Sequence, residues 1–416
     1  MNEQQPNLSR GLDFYKLTMG DMAYEKHPDA EVTFTLKNRR GEQPLSEFVT
    51  KAALQERLDA IRERGFSPEE IAYYAGLQAQ DGGGRFTPAY LNHLADLQLP
   101  DVEIDTHAAT GELTVQTTGP WADVSLWETV VMSEINEEYY ARLMEVNDLS
   151  IDDLYTEGDR RLDEKIARLQ ARPDIKFSDF GTRRRFSAAW HEHVISRLAQ
   201  ECPGNFVGTS NPWFAYKYDL TPIGTFAHEM PMVYAGLEDA AGNNPLNGHA
   251  KMLKDWQEHY GGDLSIALTD TFGSEFFFTD FTPEQAHAWR GLRHDSGDPI
   301  AFGEHVIDFY ARYEIDPTTK TIVFSDGLDI DMIEKLADHF SGKTNLMFGW
   351  GTSLTNDLGL PSNNIVMKAT HVNGNETVKL SDDKGKHTGP EHKVARYQSA
   401  VAEKIAKSAL KEVILA

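Results

Sequence analysis

Thr321-Ile-Val-Phe-Ser-Asp-Gly-Leu328 is an apolar run of strand length that stops on a serine, an aspartate and a glycine, and Asn345-Leu-Met-Phe-Gly-Trp-Gly-Thr-Ser353 repeats the pattern one helix further on. The same text recurs upstream in Ile175-Lys-Phe-Ser-Asp-Phe-Gly181, Asn205-Phe-Val-Gly-Thr-Ser-Asn211, Ile223 to Glu229, Leu264-Ser-Ile-Ala-Leu-Thr-Asp270 and Gly291-Leu-Arg-His-Asp295, and downstream in Asn364-Ile-Val-Met367. Most of these runs are followed by a helical stretch, and alternating strands and helices predict an α/β fold on a parallel sheet. About eight such units predict a barrel rather than an open sheet. In barrels the chemistry gathers at the carboxyl ends of the strands, where these polar clusters fall.

Upstream, from Leu12 to Trp121, the text is mixed. It holds the strand-like Glu31 to Lys37, a helical stretch from Leu45 to Arg64 and the β-prone Gly111 to Thr117. These predict an α+β N-terminal domain over 1–140, followed by a barrel over 141–364. Helices are expected over Val124 to Glu145 and, as an acidic-basic amphipathic bridge, over Asp152 to Ala171. The stretch Val372 to Pro390 has hairpin features at Asn373-Gly374 and Asp383-Lys-Gly385, before an amphipathic helix from about Ser399; residues 365–416 are expected to pack back on the first domain.

Composition narrows the partners. Forty Lys plus Arg against sixty-five Asp plus Glu give a formal charge of -25, which disfavours a nonspecific grip on nucleic acid or an anionic membrane. Any anionic ligand must therefore be held by local donors. One cysteine, Cys202, cannot form an intramolecular disulfide, and the polar start Met1 to Pro6 lacks the regions of a secretory signal, so a cytoplasmic location is the expectation. No apolar run approaches the roughly 20 residues of a membrane helix.

Three glycine-bearing loops suggest phosphate binding: Ser325-Asp-Gly-Leu328, Phe348-Gly-Trp-Gly-Thr-Ser353 and His294-Asp-Ser-Gly-Asp298. Glycine lets main-chain N–H groups approach an anion. Basic residues cluster at Thr182-Arg-Arg-Arg-Phe186, after the strand end Asp179-Phe-Gly181, and Arg293 repeats the pattern beside Asp295. Guanidinium suits carboxylate or phosphate, and an ionised aspartate suits a sugar's vicinal hydroxyls. His228, in Pro222-Ile-Gly-Thr-Phe-Ala-His-Glu229, ends an apolar run, and Asp270 ends the next candidate strand, so Asp270 is the expected acidic partner of the imidazole. Glu229 would point the other way in an extended segment and ranks below it. No His/Asp/Glu set with metal-ligand spacing is legible, so metal ligands stay unassigned.

The motifs Asp13-Phe-Tyr-Lys16, Asp179-Phe-Gly-Thr-Arg-Arg184, Gly208-Thr-Ser-Asn211, Gly224 to Glu229, Gly291-Leu-Arg-His-Asp-Ser-Gly-Asp-Pro299 and Phe348-Gly-Trp-Gly-Thr352 resemble, in order, those of nicotinate phosphoribosyltransferases, over most of the chain. The resemblance implies an irregular (β/α) barrel of the type II phosphoribosyltransferase kind. It also implies the joining of nicotinate to 5-phosphoribosyl 1-diphosphate, giving nicotinate mononucleotide and diphosphate, as the entry step of NAD salvage. ATP with Mg²⁺ would drive the reaction through His228 as a phosphohistidine, since a neutral imidazole can accept a phosphoryl group.

By the same resemblance, Phe180 and Tyr15 would sandwich the pyridine ring, with Tyr15 supplied by the other subunit of a homodimer whose active sites are shared. Arg293 would hold the carboxylate, Arg183 would lie near the ring and the phosphoribosyl group, and Asp295 would take the ribose hydroxyls. Gly327, Gly349, Gly351 and Thr352 would cradle the 5-phosphate. Lys37 and Arg39, in Lys37-Asn-Arg-Arg40, are candidates for the diphosphate side. Ser210 stands where the related nicotinamide-using enzymes carry an aspartate, and a neutral residue leaves the site open to a carboxylate. The competing readings are a nicotinamide-using enzyme, a ligand sensor on the same scaffold and, further away, a barrel aldolase or isomerase, which would want a lysine or metal cluster at the strand ends.

Overall fold

The computed structural model describes residues 7–39, 45–107 and 110–415; Arg40 lies outside them. Two sheets organise the chain. The first is antiparallel, built from β1 (Glu31–Asn38), β2 (Val102–Thr106) and β3 (Leu113–Pro120). In β1 the alternation buries Val32, Phe34 and Leu36 and leaves Lys37 on the solvent face.

The second sheet is parallel. Its strands are β4 (Phe177–Asp179), β5 (Phe206–Thr209), β6 (Thr221–Pro222), β7 (Ile266–Leu268), β8 (Gly291–His294), β9 (Thr321–Phe324) and β10 (Asn345–Trp350). They are ordered β6-β5-β4-β10-β9-β8-β7 and curl into a seven-stranded half-barrel. Among the described residues the edge strands β6 and β7 do not pair, and a side-chain bond from Thr225 Oγ1 to the Ile266 carbonyl, at 3.1 Å, crosses the opening. The barrel is irregular because the run after Pro222 leaves the sheet and turns into a helix at His228.

One of the eight strand-like runs belongs elsewhere. The Asn364 to Met367 run opens β11 (Ile365–Val372), which lies antiparallel against β1 in the first sheet and continues through a turn at Asn373 and Gly374 into β12 (Asn375–Glu376). Both turn residues have positive φ, 48° and 74°, as a two-residue hairpin of that hand requires. From Thr377 onward the chain leaves this sheet. Val378, Leu380 and Tyr397 join Phe272 and Phe276 in a second apolar cluster, and the final helix, Glu391–Leu415, packs on the barrel helix Ser274–Asp280. Of residues 365–416, β11 and β12 thus pack on the first domain, while the segment from Thr377 onward packs on the barrel, where its apolar side chains find their partners.

The expected helices are present as Trp127–Val146 and Ile151–Gln170, and the Leu45 to Arg64 stretch forms a short turn and the helix Lys51–Arg64. Among the described residues no helix is long and apolar enough to cross a membrane.

Candidate active site

At the carboxyl ends of the parallel strands lies a cavity of about 540 Å³, the size of a small-molecule site. Arg39, Arg183, Arg184, Arg293, Lys368, Lys379 and Lys386 line it against Asp13, Asp295, Asp326, Asp329 and Asp357. In a chain of charge -25 this local excess of cations marks a site for a ligand with several negative charges. The cluster is strained electrostatically: burial and the charges of Arg183 and Arg39 pull the Arg184 guanidinium down to about 10. A bound polyanion relieves that repulsion.

One end of the cavity is aromatic. Tyr15 begins the helix Tyr15–Lys26, and Phe180 follows β4 with its N–H donating to the Trp350 carbonyl at 2.8 Å. The helix is docked on its own barrel, with the Phe14 N–H donating to the Ser210 carbonyl and Gly224 leaving room for the Tyr15 backbone. Within one chain Tyr15 thus lines the same cavity as Phe180, whereas the resemblance implied that it comes from the other subunit. Arg293 reaches this cavity from β8, and its buried Nε has no hydrogen-bond partner among the described residues. An unsatisfied buried guanidinium donor is costly unless a ligand accepts from it.

Gly349 does not line the cavity. A Cβ there would sit 2.4 Å from the Phe180 ring, so this glycine seats the ring instead of cradling a phosphate. Gly349→Ala should displace Phe180 and weaken the binding of a planar ligand stacked on that ring at least tenfold, with a much smaller change for a phosphate-bearing ligand in the same cavity; binding titrations with each ligand alone check this.

Ser210 does line the cavity, but its hydroxyl donates to Asp13 Oδ1 at 2.7 Å. Asp13 is itself a buried cavity carboxyl, raised in pKa by burial, with Arg183 Nε 3.5 Å from its Oδ2. The neutrality of Ser210 therefore does not by itself clear this corner of negative charge.

His228 sits at the N-terminus of the helix Glu229–Ala240, 4 % exposed, where the helix dipole opposes protonation and favours an added anion. Its Nε2 lies 2.9 Å from Asp295 Oδ2 and 2.9 Å from Lys379 Nζ, and its Nδ1 lies 2.9 Å from Thr271 Oγ1. Asp270, the expected partner, stays 3.6 Å from Nε2 and is bonded to the hydroxyls of Ser296 and Ser381. β7 ends at Leu268, two residues before Asp270, whereas Asp295 directly follows β8 and makes the shorter contact. Asp295 also accepts from Ser325 Oγ at 3.1 Å, so the carboxylate assigned to ribose hydroxyls serves the histidine as well. Glu229 turns away into a buried cluster with Lys16 and the Trp121 indole, 2.6 Å from its Nε1.

Of the candidate phosphate loops, Gly327, Gly351 and Thr352 line the cavity, and Gly327 has φ +61°, which a side chain would strain. The His294 to Asp298 loop does other work. Its Ser296 bonds Asp270, and Asp298 caps the helix Pro299–Arg312. Arg39 lines the cavity because it has left β1, whereas Lys37, still in the strand, is exposed and outside it.

Sequence reasoning missed Asp13, Lys368, Lys379 and Lys386 as site residues. The two later lysines arrive on the returning segment, where Lys386 pairs with Asp326 at 2.8 Å. No local pattern distinguishes them from surface lysines.

His228, Asp270 and Asp295 offer ligand atoms within 4.8 Å of one another. Two carboxylates suit Mg²⁺, which favours oxygen ligands. The Lys379 ammonium, however, lies among them, 2.9 Å from His228 Nε2 and 3.7 Å from Asp270 Oδ2. The trio does not fit a divalent ion held by the protein alone.

A half-barrel of parallel strands with a cationic strand-end cavity, an aromatic slot and glycine-bearing loops places the protein among phosphoribosyltransferases, and known relatives make the class specific. The chain belongs to the nicotinate phosphoribosyltransferase (NAPRTase) family: residues 175–414 match the family model and residues 12–136 match that of its N-terminal domain. Among solved structures it is similar to nicotinate phosphoribosyltransferase from Porphyromonas gingivalis, at 28 % identity and TM-score 0.84 over 95 % of this chain and 99 % of that one. The enzyme from Vibrio cholerae matches at 29 % and 0.79, over 96 % and 97 %. A putative nicotinate phosphoribosyltransferase from Saccharomyces cerevisiae matches at 26 % and 0.81, over 95 % and 97 %.

Proposed function

We propose that this chain joins nicotinate to 5-phosphoribosyl 1-diphosphate, coupled to ATP hydrolysis through phosphorylation of His228, as a step of NAD salvage. The observation that carries the reading is the Arg293 guanidinium, its buried Nε unpartnered, in the cavity that also holds Tyr15, Phe180 and His228. An aromatic acid satisfies that donor, and the two rings supply stacking surfaces for an electron-poor pyridine.

In the reaction the pyridine nitrogen attacks C1 of the sugar as the C1–O bond to diphosphate breaks, through oxocarbenium-like charge. The nitrogen attacks with its own lone pair, so no proton has to be removed and no general base is required. Catalysis then rests on position and on stabilising the departing diphosphate. Gly327, Gly351 and Thr352 are assigned to the 5-phosphate, and Arg39 and Arg184 to the diphosphate end. Phosphoryl transfer from ATP forms an N–P bond on the imidazole, breaks the γ-phosphoryl–oxygen bond and releases ADP. Mg²⁺ enters as the counter-ion of ATP and of the phosphoribosyl donor.

A homodimer and a cytoplasmic setting remain part of this reading; the buried lone Cys202 suits a reducing compartment, and the aromatic slot is built within one chain. The test is product formation with both bases present at equal concentration: nicotinate mononucleotide should dominate, and a predominance of the nicotinamide product would overturn the substrate assignment.

A further inference from the structure

We propose that Lys379 is a built-in cation of the histidine site: its ammonium takes the position that a divalent metal would occupy among His228, Asp270 and Asp295, and it is the group that meets a phosphoryl group carried by His228. The second half of this statement rests on the function proposed above; the first does not.

The side chain is aimed into the cluster. Lys379 is 5 % exposed, and its Nζ lies 2.9 Å from His228 Nε2 and 3.7 Å from Asp270 Oδ2. Its backbone is pinned on both sides. Lys379 exchanges hydrogen bonds with Thr388, at 3.1 and 3.0 Å, and the next N–H, of Leu380, donates to the carbonyl of Thr271, the residue whose hydroxyl bonds His228 Nδ1. Ser381 follows with φ +62°, a conformation unfavourable for a side-chain-bearing residue, held by its hydroxyl at 3.1 Å from Asp270 Oδ2 and 3.0 Å from Ser296 Oγ. Strain of this kind persists only where the surroundings over-determine it, and here the surroundings are Asp270 and Ser296, both bonded to the Ser381 hydroxyl.

The charges explain the arrangement. Asp270 and Asp295 carry two negative charges beside a neutral imidazole, so a buried cation is required. Lys379 supplies it within the chain, and a second cation in the same space would meet like charge. When the γ-phosphoryl group of ATP moves to the ring, the N–P bond forms as the P–O bond to ADP breaks, and phosphoryl oxygens arrive between two carboxylates. A cation within hydrogen-bond reach of the ring nitrogen is then needed to hold them.

The test is manganese titration followed by electron paramagnetic resonance, without nucleotide, nicotinate or diphosphate. Wild-type protein should hold no stoichiometric Mn²⁺. Lys379→Ala should gain one site per chain, and adding Asp270→Asn should remove it. A wild-type site that Asp270→Asn abolishes, or a Lys379→Ala protein that gains none, would overturn the cation assignment. For the phosphoryl role, labelling with ATP carrying γ-³²P should give a phosphohistidine that is several-fold less abundant in Lys379→Ala and restored in Lys379→Arg; equal labelling in all three would overturn that role. If wild type takes no label, the ATP coupling fails instead, and the manganese titration still decides the cation position.

Discussion

Arg293→Ala raises the KM for nicotinate by two to three orders of magnitude, and leaves the KM for 5-phosphoribosyl 1-diphosphate within a few-fold of wild type. The magnitude is that expected of a charge-assisted, two-pronged contact between a buried guanidinium and a carboxylate. Truncating one partner of such a buried pair costs about 3–4 kcal/mol, because the substrate carboxylate would remain desolvated without its donor. Lysine cannot repair the loss fully, since a point charge on a flexible stem does not present a planar fork. Selectivity should change with affinity: if the carboxylate is held by Arg293, as proposed, the variant should lose most of its preference for nicotinate over nicotinamide. Ser210 has its proton committed to Asp13, and that carboxyl lies in the same corner as Arg183. Steady-state kinetics with each base checks both statements.

His228→Ala removes the stimulation of nicotinate mononucleotide synthesis by ATP and all incorporation of label from ATP into protein. The reason lies in the state of the ring. Burial first, and then the adjacent Lys379 charge, push His228 down to about 4 against the opposing pull of Asp270 and Asp295. The imidazole is therefore neutral, with a lone pair for phosphorus, through the whole physiological range. The sign for pH follows. Protonation would block phosphoryl transfer, so ATP coupling should persist as pH falls through 6.5, the ordinary histidine value, and fail only as it approaches about 4. A titration of ATP-dependent labelling against pH, restricted to the range where the protein stays folded, checks the position of that limb.

The parallel sheet was legible because its strands are short, apolar and buried on both faces, so each reads as a run that ends where the loop begins. Asn364 to Met367 reads the same way yet belongs to the other sheet. Periodicity reports that a strand is buried, and only pairing decides which neighbour buries it: here β11 lies antiparallel against β1, from Ile365 opposite Asn38 to Val372 opposite Val32, with a register shift between Thr33 and Phe34.

The site was legible where residue type and motif order coincide, as at Phe180, Arg183, Arg293 and His228. It was illegible where tertiary approach does the placing. Lys379 is separated from His228 by most of the barrel in sequence and touches it only because the chain returns after β12. Gly349 could be singled out as a loop glycine but not interpreted, since the Phe180 ring that fills its missing Cβ comes from the neighbouring strand. Tyr15 reaches the cavity of its own chain through approaches far apart in sequence, the Phe14 N–H to the Ser210 carbonyl and the Tyr15 backbone against Gly224, which composition does not announce.

The measurement that bears most directly on the account is diphosphate release by the purified protein supplied with 5-phosphoribosyl 1-diphosphate and Mg²⁺, with nicotinate, nicotinamide or neither, each with and without ATP. Release should depend on nicotinate and rise with ATP. Release that follows nicotinamide, or binding of the phosphoribosyl donor with no release under any of these conditions, would contradict it.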